Sequence, residues 1–208
     1  MKYCVCGVKL MAKIKICGLT RLCDIEAVNV EKPDYIGFVF ANSRRRVTPA
    51  LAMELRGKLA NEITPVGVFV DETIEDILPL VQYGVIEMVQ LHGTEDEEYI
   101  AKLKAITAVP IIKAISVQHA GDVQKWASTA ADYLLLDSKG GGTGQTFDWS
   151  LIGKVTKPYF LAGGLDVNNV VNAISQTMPF AVDVSSGVET DGLKDPDKIK
   201  EFIRLVGH

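Results

Sequence analysis

An α/β fold consisting of a single (βα)8 barrel is what this sequence predicts, on three observations. First, eight short apolar runs of strand type each give way to a polar, helix-forming stretch. They begin near Lys13, Asp34, Pro65, Val85, Val109, Asp132, Pro158 and Phe180. Second, their mean spacing of roughly 24 residues suits one strand, one helix and two short loops. Strict alternation calls for a parallel sheet, and eight strands can close on themselves and leave no edge. Third, the residues of chemical interest sit where the runs end, and in such a barrel all strand C-termini converge on one mouth. At 208 residues the chain is short for eight units, which need at least ~200 and typically about 250. No room is left for a second domain. The barrel is expected over residues 13–208 and a disordered tail over 1–12, with Met11 as an alternative start.

Taken in order, the elements follow from local chemistry. Run one, from Lys13, ends Lys15-Ile16-Cys17-Gly18. The interval after run two, 31 residues long, holds Arg44-Arg45-Arg46 and a helix start at Thr48-Pro49. Run three, Pro65 to Val70, is almost wholly apolar, as a parallel strand covered on both faces should be. A helical pattern covers Thr73 to Val81. After run four, another covers Glu95 to Ile106, with Thr94 and Glu97 at capping-box spacing. Run six, Tyr133 to Leu136, is apolar throughout. Asp166 is placed to cap the helix after run seven, and Asp195-Pro196 to open the last helix, Asp197 to Leu205.

Composition excludes several classes of function. The 48% hydrophobic content is enough for a full core, and 23% charged residues is ordinary for a globular chain. A net charge of −4 supplies no surplus of Lys and Arg for phosphate backbones, so no nucleic-acid partner is expected. No apolar stretch approaches the ~18 residues of a membrane span, and the amino end is too short and mixed for a signal peptide. A cytoplasmic enzyme without a membrane partner is the expectation. Cysteines stand at 4, 6, 17 and 23. Cys4 and Cys6 have no second ligand pair and no nearby His, so neither a metal site nor a disulfide is expected.

The run ends carry the chemistry. Cys17 would face the mouth; a thiol titrating at about 8.5 can act as base or nucleophile if its surroundings favour thiolate. A small buried apolar role is its alternative. Asp137 closes an apolar strand, where an unpaired carboxylate is costly. It must be wet, paired or catalytic, and burial would let it hold a proton near neutrality and donate it. Next comes a loop with four glycines in residues 140–144, lacking the Lys-Ser/Thr ending of a phosphate-gripping Walker loop. Gly163-Gly164 after run seven and Ser185-Ser186-Gly187 after run eight lie where barrels of this kind frequently bind phosphate. A phosphorylated small molecule is therefore the expected ligand.

The motifs KICGLT (15–20), GFVF (37–40), VGVFV (66–70), VQLHG (89–93), LLLDS (134–138), GGTGQTFDW (141–149), AGGL (162–165) and FAVDVSSGVE (180–189) stand in order on the expected strands. Together they resemble the phosphoribosylanthranilate isomerase family of tryptophan biosynthesis, over nearly the whole chain from Lys13. The resemblance implies an Amadori rearrangement of N-(5-phosphoribosyl)anthranilate to its 1-deoxyribulose isomer. No cofactor or metal is implied, because the protonated imine is itself the electron sink. It further implies Cys17 as base and Asp137 as acid, with their pKa values displaced in opposite directions. Phosphate would be held at Gly164, Ser185 and Ser186, and the anthranilate carboxylate by Arg45 of the Arg44–Arg46 run. Gln90 and His92 at the end of run four, and Asp183 at the end of run eight, are further substrate contacts or orienting groups. A monomer and a homodimer both fit the family.

Three alternatives stay open on the residues. A histidine-pathway isomerase of the same chemistry would pair two aspartates, one on strand one, where this chain has Cys17. Indole-glycerol-phosphate synthase would need catalytic lysines, with Lys113 a single candidate. A non-catalytic phosphate-ligand barrel would keep the glycine and serine loops but have no use for Cys17 or Asp137.

Overall fold

The computed structural model describes residues 12–138 and 146–207. Eight strands pair in parallel and in chain order: β1 (Lys13–Cys17), β2 (Tyr35–Val39), β3 (Thr64–Phe69), β4 (Met88–Leu91), β5 (Ile111–Ser116), β6 (Tyr133–Asp137), β7 (Tyr159–Leu161) and β8 (Ala181–Val184). β8 returns to β1, with Ala181 opposite Lys13 and Asp183 opposite Lys15, and the barrel closes without an edge. Each strand begins within three residues of its expected position. The tail expected over 1–12 falls outside the described residues except for Ala12, which is buried against the core. Cys4, Cys6 and the glycine-rich segment 139–145 likewise lie outside them.

Six α-helices flank the strands: α1 (Leu22–Glu31), α2 (Pro49–Arg56), α3 (Ile74–Gln82), α4 (Glu97–Ile106), α5 (Val170–Thr177) and α6 (Pro196–Val206). Most begin on a polar side chain that accepts from a free first-turn amide. Thr48 accepts from Leu51 N at 3.2 Å, Thr73 from Asp76 N at 3.2 Å and Asp195 from Asp197 N at 3.0 Å. Two caps differ from expectation. Asp96, not Thr94, caps α4, accepting from Tyr99 N at 2.9 Å. Thr94 is engaged elsewhere, its N–H and hydroxyl both donating to Asp71 Oδ1. Asp166 closes the turn before α5 by accepting from the Asn168 and Asn169 amides, and Asn169 is the helix N-cap. The strand–helix alternation also lapses twice among the described residues. After β5 and after β6 only short 3-10 turns form, Gln124–Trp126 and Trp149–Ile152. In the first interval, Gly121 at φ +96° and Asp122, which accepts from the Gln118 and His119 amides, spend the segment on a turn. No described helix is long and apolar enough to cross a membrane.

The pleat sorts the core in two. Alternate residues such as Ile14, Ile16, Ile36, Phe38, Leu134, Leu136, Val182 and Val184 point outward and pack under the helices. Their neighbours Tyr35, Val66, Met88, Ile112, Leu135, Phe160 and Ala181 fill the barrel interior. Tyr35, Tyr133 and Phe180 surround Phe160 at ring-centroid distances of 5.4–5.7 Å, plugging the N-terminal end. The interior parity continues upward to Cys17, Gln90, Asp137 and Asp183, so polar groups on inward positions are delivered to the opposite mouth.

Candidate active site

A cavity of about 280 Å³ opens at the C-terminal ends of the strands. Cys17, Arg45, Gln90, His92, Asp137, Gly163, Gly164, Asp183, Ser185 and Ser186 all line it. Of the expected site residues only Gly187 does not. It is a packing glycine: a Cβ there would overlap the Leu165 carbonyl oxygen, so it lets the loop after β8 press against the loop after β7.

Cys17 is the last residue of β1 and is 8% exposed. Gly37, opposite it on β2, makes the space: a Cβ on Gly37 would stand 2.7 Å from Cys17 Sγ and 3.2 Å from Lys15 Nζ. Burial pushes the Cys17 thiol above its ordinary value, with the Lys15 ammonium opposing. The opposite-displacement scheme required a lowered thiol, so this part of the expectation is corrected. Desolvation of a thiolate in a nearly sealed strand end outweighs the opposing Lys15 and Lys194 cations. Lys15 itself is wholly buried, its Nζ donating to Asp183 Oδ1 at 3.0 Å. Burial alone would lower its pKa, but the Asp183 carboxylate and Cys17 outweigh it and the net shift is upward.

Asp137 ends β6 on the same inward parity and is 5% exposed. Its Oδ1 accepts from the Ser138 amide at 2.7 Å, while Oδ2 lies 3.5 Å from His92 Nε2. Gln90 Nε2 meets His92 Nδ1 at 2.9 Å. With the amide nitrogen turned toward the ring, Nδ1 accepts and the ring proton is assigned to Nε2, facing Asp137, an orientation that leaves Gln90 Oε1 buried without a partner among the described residues. Gln90 and His92 are thus orienting groups for the carboxyl as well as cavity walls.

Among the three arginines, Arg45 is the one that lines the cavity. Its Nε and Nη2 donate to the two oxygens of Glu189 at 2.7 and 3.0 Å, a fork-to-fork pair that leaves the Nη1 edge unused. Gly18, at φ +83°, accommodates the Arg45 side chain where a Cβ would collide with it. Arg44, 55% exposed, reaches Glu189 from outside, and Arg46 bridges to Val39 and donates its amide to the Ser43 carbonyl at 3.1 Å. Glu189 opens a two-stranded hairpin, β9 (Glu189–Thr190) with β10 (Leu193–Lys194), inside the β8–α6 loop. Lys194 Nζ completes the cluster at 2.6 Å from Glu189 Oε1 and 2.9 Å from the Ser185 carbonyl. Glu189, Lys194 and Lys15 were not singled out by sequence; the i, i+2 parity with Cys17 could have flagged Lys15.

The loops after β7 and β8 meet at one side of the cavity. Ser185 Oγ donates to the Cys17 carbonyl at 3.0 Å, which ties this loop to the thiol strand. The backbone N–H groups of Gly164, Ser186 and Gly187 have no acceptor among the described residues, as an anion-binding loop requires. Lys113 points out of the barrel, donating to Glu95 at 2.8 Å and the Gly93 carbonyl at 2.7 Å. A synthase reading that needed it in the cavity loses its candidate. Among the described residues no group of three or more His, Cys, Asp or Glu is arranged to hold a metal.

A family model described as N-(5'phosphoribosyl)anthranilate (PRA) isomerase matches residues 14–205. The isomerase of that name from Clostridium acetobutylicum is 48% identical over 204 residues, covering 94% of this chain and 98% of its own. The crystal structure of phosphoribosyl anthranilate isomerase from Thermotoga maritima superposes with a TM-score of 0.86 at 39% identity, over 94% of this chain and 98% of that one. Another solved isomerase, in complex with reduced 1-(o-carboxyphenylamino)-1-deoxyribulose 5-phosphate, gives 0.83 at 38% identity and the same coverage.

Proposed function

The chain belongs to the phosphoribosylanthranilate isomerase family and converts N-(5-phosphoribosyl)anthranilate to 1-(2-carboxyphenylamino)-1-deoxyribulose 5-phosphate; from that premise we propose that Cys17 is its general base and Asp137 its general acid. Asp137 gives a proton to the ribose ring oxygen, the bond from that oxygen to C1 breaks, and the anilino nitrogen lone pair forms the C1=N iminium. Cys17 thiolate then takes the C2 proton. The C2–H electrons become the C1=C2 bond and neutralise the nitrogen, giving an enolamine. Loss of the C2 hydroxyl proton with protonation of C1 completes the ketone. The iminium charge beside C2 favours a thiolate at the moment it is needed, in an otherwise desolvated site.

The observation that carries this reading is placement. Two titratable groups on the inward parity of β1 and β6 line one cavity, bounded on one side by free loop amides suited to a phosphate and on the other by the unused edge of Arg45. Gly163, Gly164, Ser185 and Ser186 are assigned to the phosphate, and Arg45 to the anthranilate carboxylate. Asp183 holds Lys15 and borders the ribose. A phosphate ester does not cross a bilayer unaided, and we place the reaction in the cytoplasm.

The test is fluorescence of phosphoribosylanthranilate generated in situ, followed with wild type, Cys17→Ser and Asp137→Asn. Each substitution should lower kcat by about 10²–10⁴-fold, the usual contribution of one positioned acid or base. Turnover within a few-fold of wild type in either variant would sink the corresponding role.

A further inference from the structure

Lys15 is a charged side chain with no exposure at all, set beneath the reacting end of the barrel. Replacing a buried ion pair with apolar side chains of similar volume is often neutral or stabilising, so stability alone does not account for it. The other fully buried lysine, Lys113, has an evident structural task. Its partner Glu95 also accepts from the Asp71 and Gly93 amides, so the pair ties the loops after β3 and β4 to strand β5. Lys15 ties nothing comparable. An ammonium has three donors, and among the described residues Asp183 Oδ1 is its one oxygen acceptor. The next group along the inward face of β1 is Cys17, and both side chains converge over the bare Cα of Gly37. The position a Gly37 Cβ would take lies 2.7 Å from the Cys17 sulfur and 3.2 Å from the Lys15 nitrogen, so the ammonium and the thiol close on the same point.

We propose that Lys15 is a positioning residue for proton abstraction, its Asp183-held ammonium fixing Cys17 Sγ over Gly37 and stabilising the thiolate that takes the C2 proton. This rests on Cys17 being the base. The charged and titratable groups facing Cys17 are few. Lys15 lies on its own strand, Asp183 on β8 and Lys194 on β10, while Asp137 and His92 face it across the mouth. From β2 comes only Gly37. Lys15 is thus the adjacent cation that most opposes burial of the thiolate, and Asp183 keeps that cation protonated and aimed.

The experiment measures the rate of Cys17 alkylation by iodoacetamide against pH, with the Cys17 peptide quantified by mass spectrometry. Wild type is compared with Lys15→Met and with Lys15→Met/Asp183→Asn, the double variant leaving no unpaired buried charge. In both, the midpoint for Cys17 alone should rise by at least about one pH unit, a tenfold loss of thiolate at neutral pH. The kcat–pH profile of Lys15→Met should shift the same way, while KM changes by less than about threefold. A midpoint unmoved in either folded variant overturns the proposal. So does failure of both variants to fold, which would assign Lys15 to stability. Turnover surviving in Cys17→Ser would instead remove the base assignment and leave the alkylation comparison readable.

Discussion

Replacing Glu189 with Gln removes one charge and almost no volume, and the structure says what that charge does. The Glu189 side chain is 5% exposed and accepts from Arg45 twice, from Lys194 and from Arg44. Arg44 is more than half exposed, and its pairing is worth little. Lys194, at 2% exposure, and Arg45, at 13%, would be left as buried cations facing a neutral amide. Stranding a buried charge in this way costs about 3–5 kcal/mol. For a chain of this size each kcal/mol lowers Tm by about 2–4 °C, so Glu189→Gln should melt at least about 6 °C below wild type at pH 7. The pH dependence has a definite sign. Burial would raise the Glu189 carboxyl, but hydrogen bonds from Arg45 and Lys194 outweigh it and hold it below its ordinary value. Its stabilisation is therefore complete above the unfolded value of about 4.3 and is lost as pH falls through the lower folded value. The Tm gap between wild type and variant should be constant from about pH 6 to 7 and narrow progressively below about pH 4. Circular dichroism melts across this range, with steady-state kinetics at pH 7, read both effects. Arg45 without its anchor should raise KM about tenfold, or ~1.4 kcal/mol, with kcat nearly unchanged. A Tm within about 2 °C of wild type, or a gap that does not narrow as pH falls below about 4, would refute the reasoning.

Gly37→Ala puts a methyl group 2.7 Å from Cys17 Sγ. It should destabilise by about 1–3 kcal/mol in urea unfolding and displace the thiol enough to lower kcat; wild-type values for both would mean β2 yields freely. At the anion end, inorganic phosphate should inhibit competitively. Ser186→Asp should abolish that inhibition and raise KM about tenfold or more by like-charge repulsion, whereas unaltered phosphate inhibition would place the anion elsewhere.

The barrel was legible because its cause is local and repetitive. Continuous apolar runs such as 65–70 and 133–136 can only be strands covered on both faces, and their spacing leaves room for one crossover each. Positions of catalytic type could be named because parity carries Tyr133, Leu135 and Asp137 along one face of β6. Among the described residues, helix content after β5 and β6 was overread, since a polar interval looks helical until its turns claim the backbone amides, as Asp122 does after β5. The α4 cap was misplaced because Thr94 and Asp96 both have capping chemistry, and only the position of Asp71 decides between them.

By itself the sequence determined the fold class, the strand ends, the family and the two titratable groups that meet at the mouth. Each is set by patterns a few residues long. What only the tertiary structure decided are the pairings across the ring: Lys15 on Asp183, Arg45 on Glu189, and Gln90 on Asp137 through His92. Their members are up to 168 residues apart in the chain. The direction in which a thiol or a carboxyl is displaced depends on burial and on such neighbours, and those exist only once the barrel has closed.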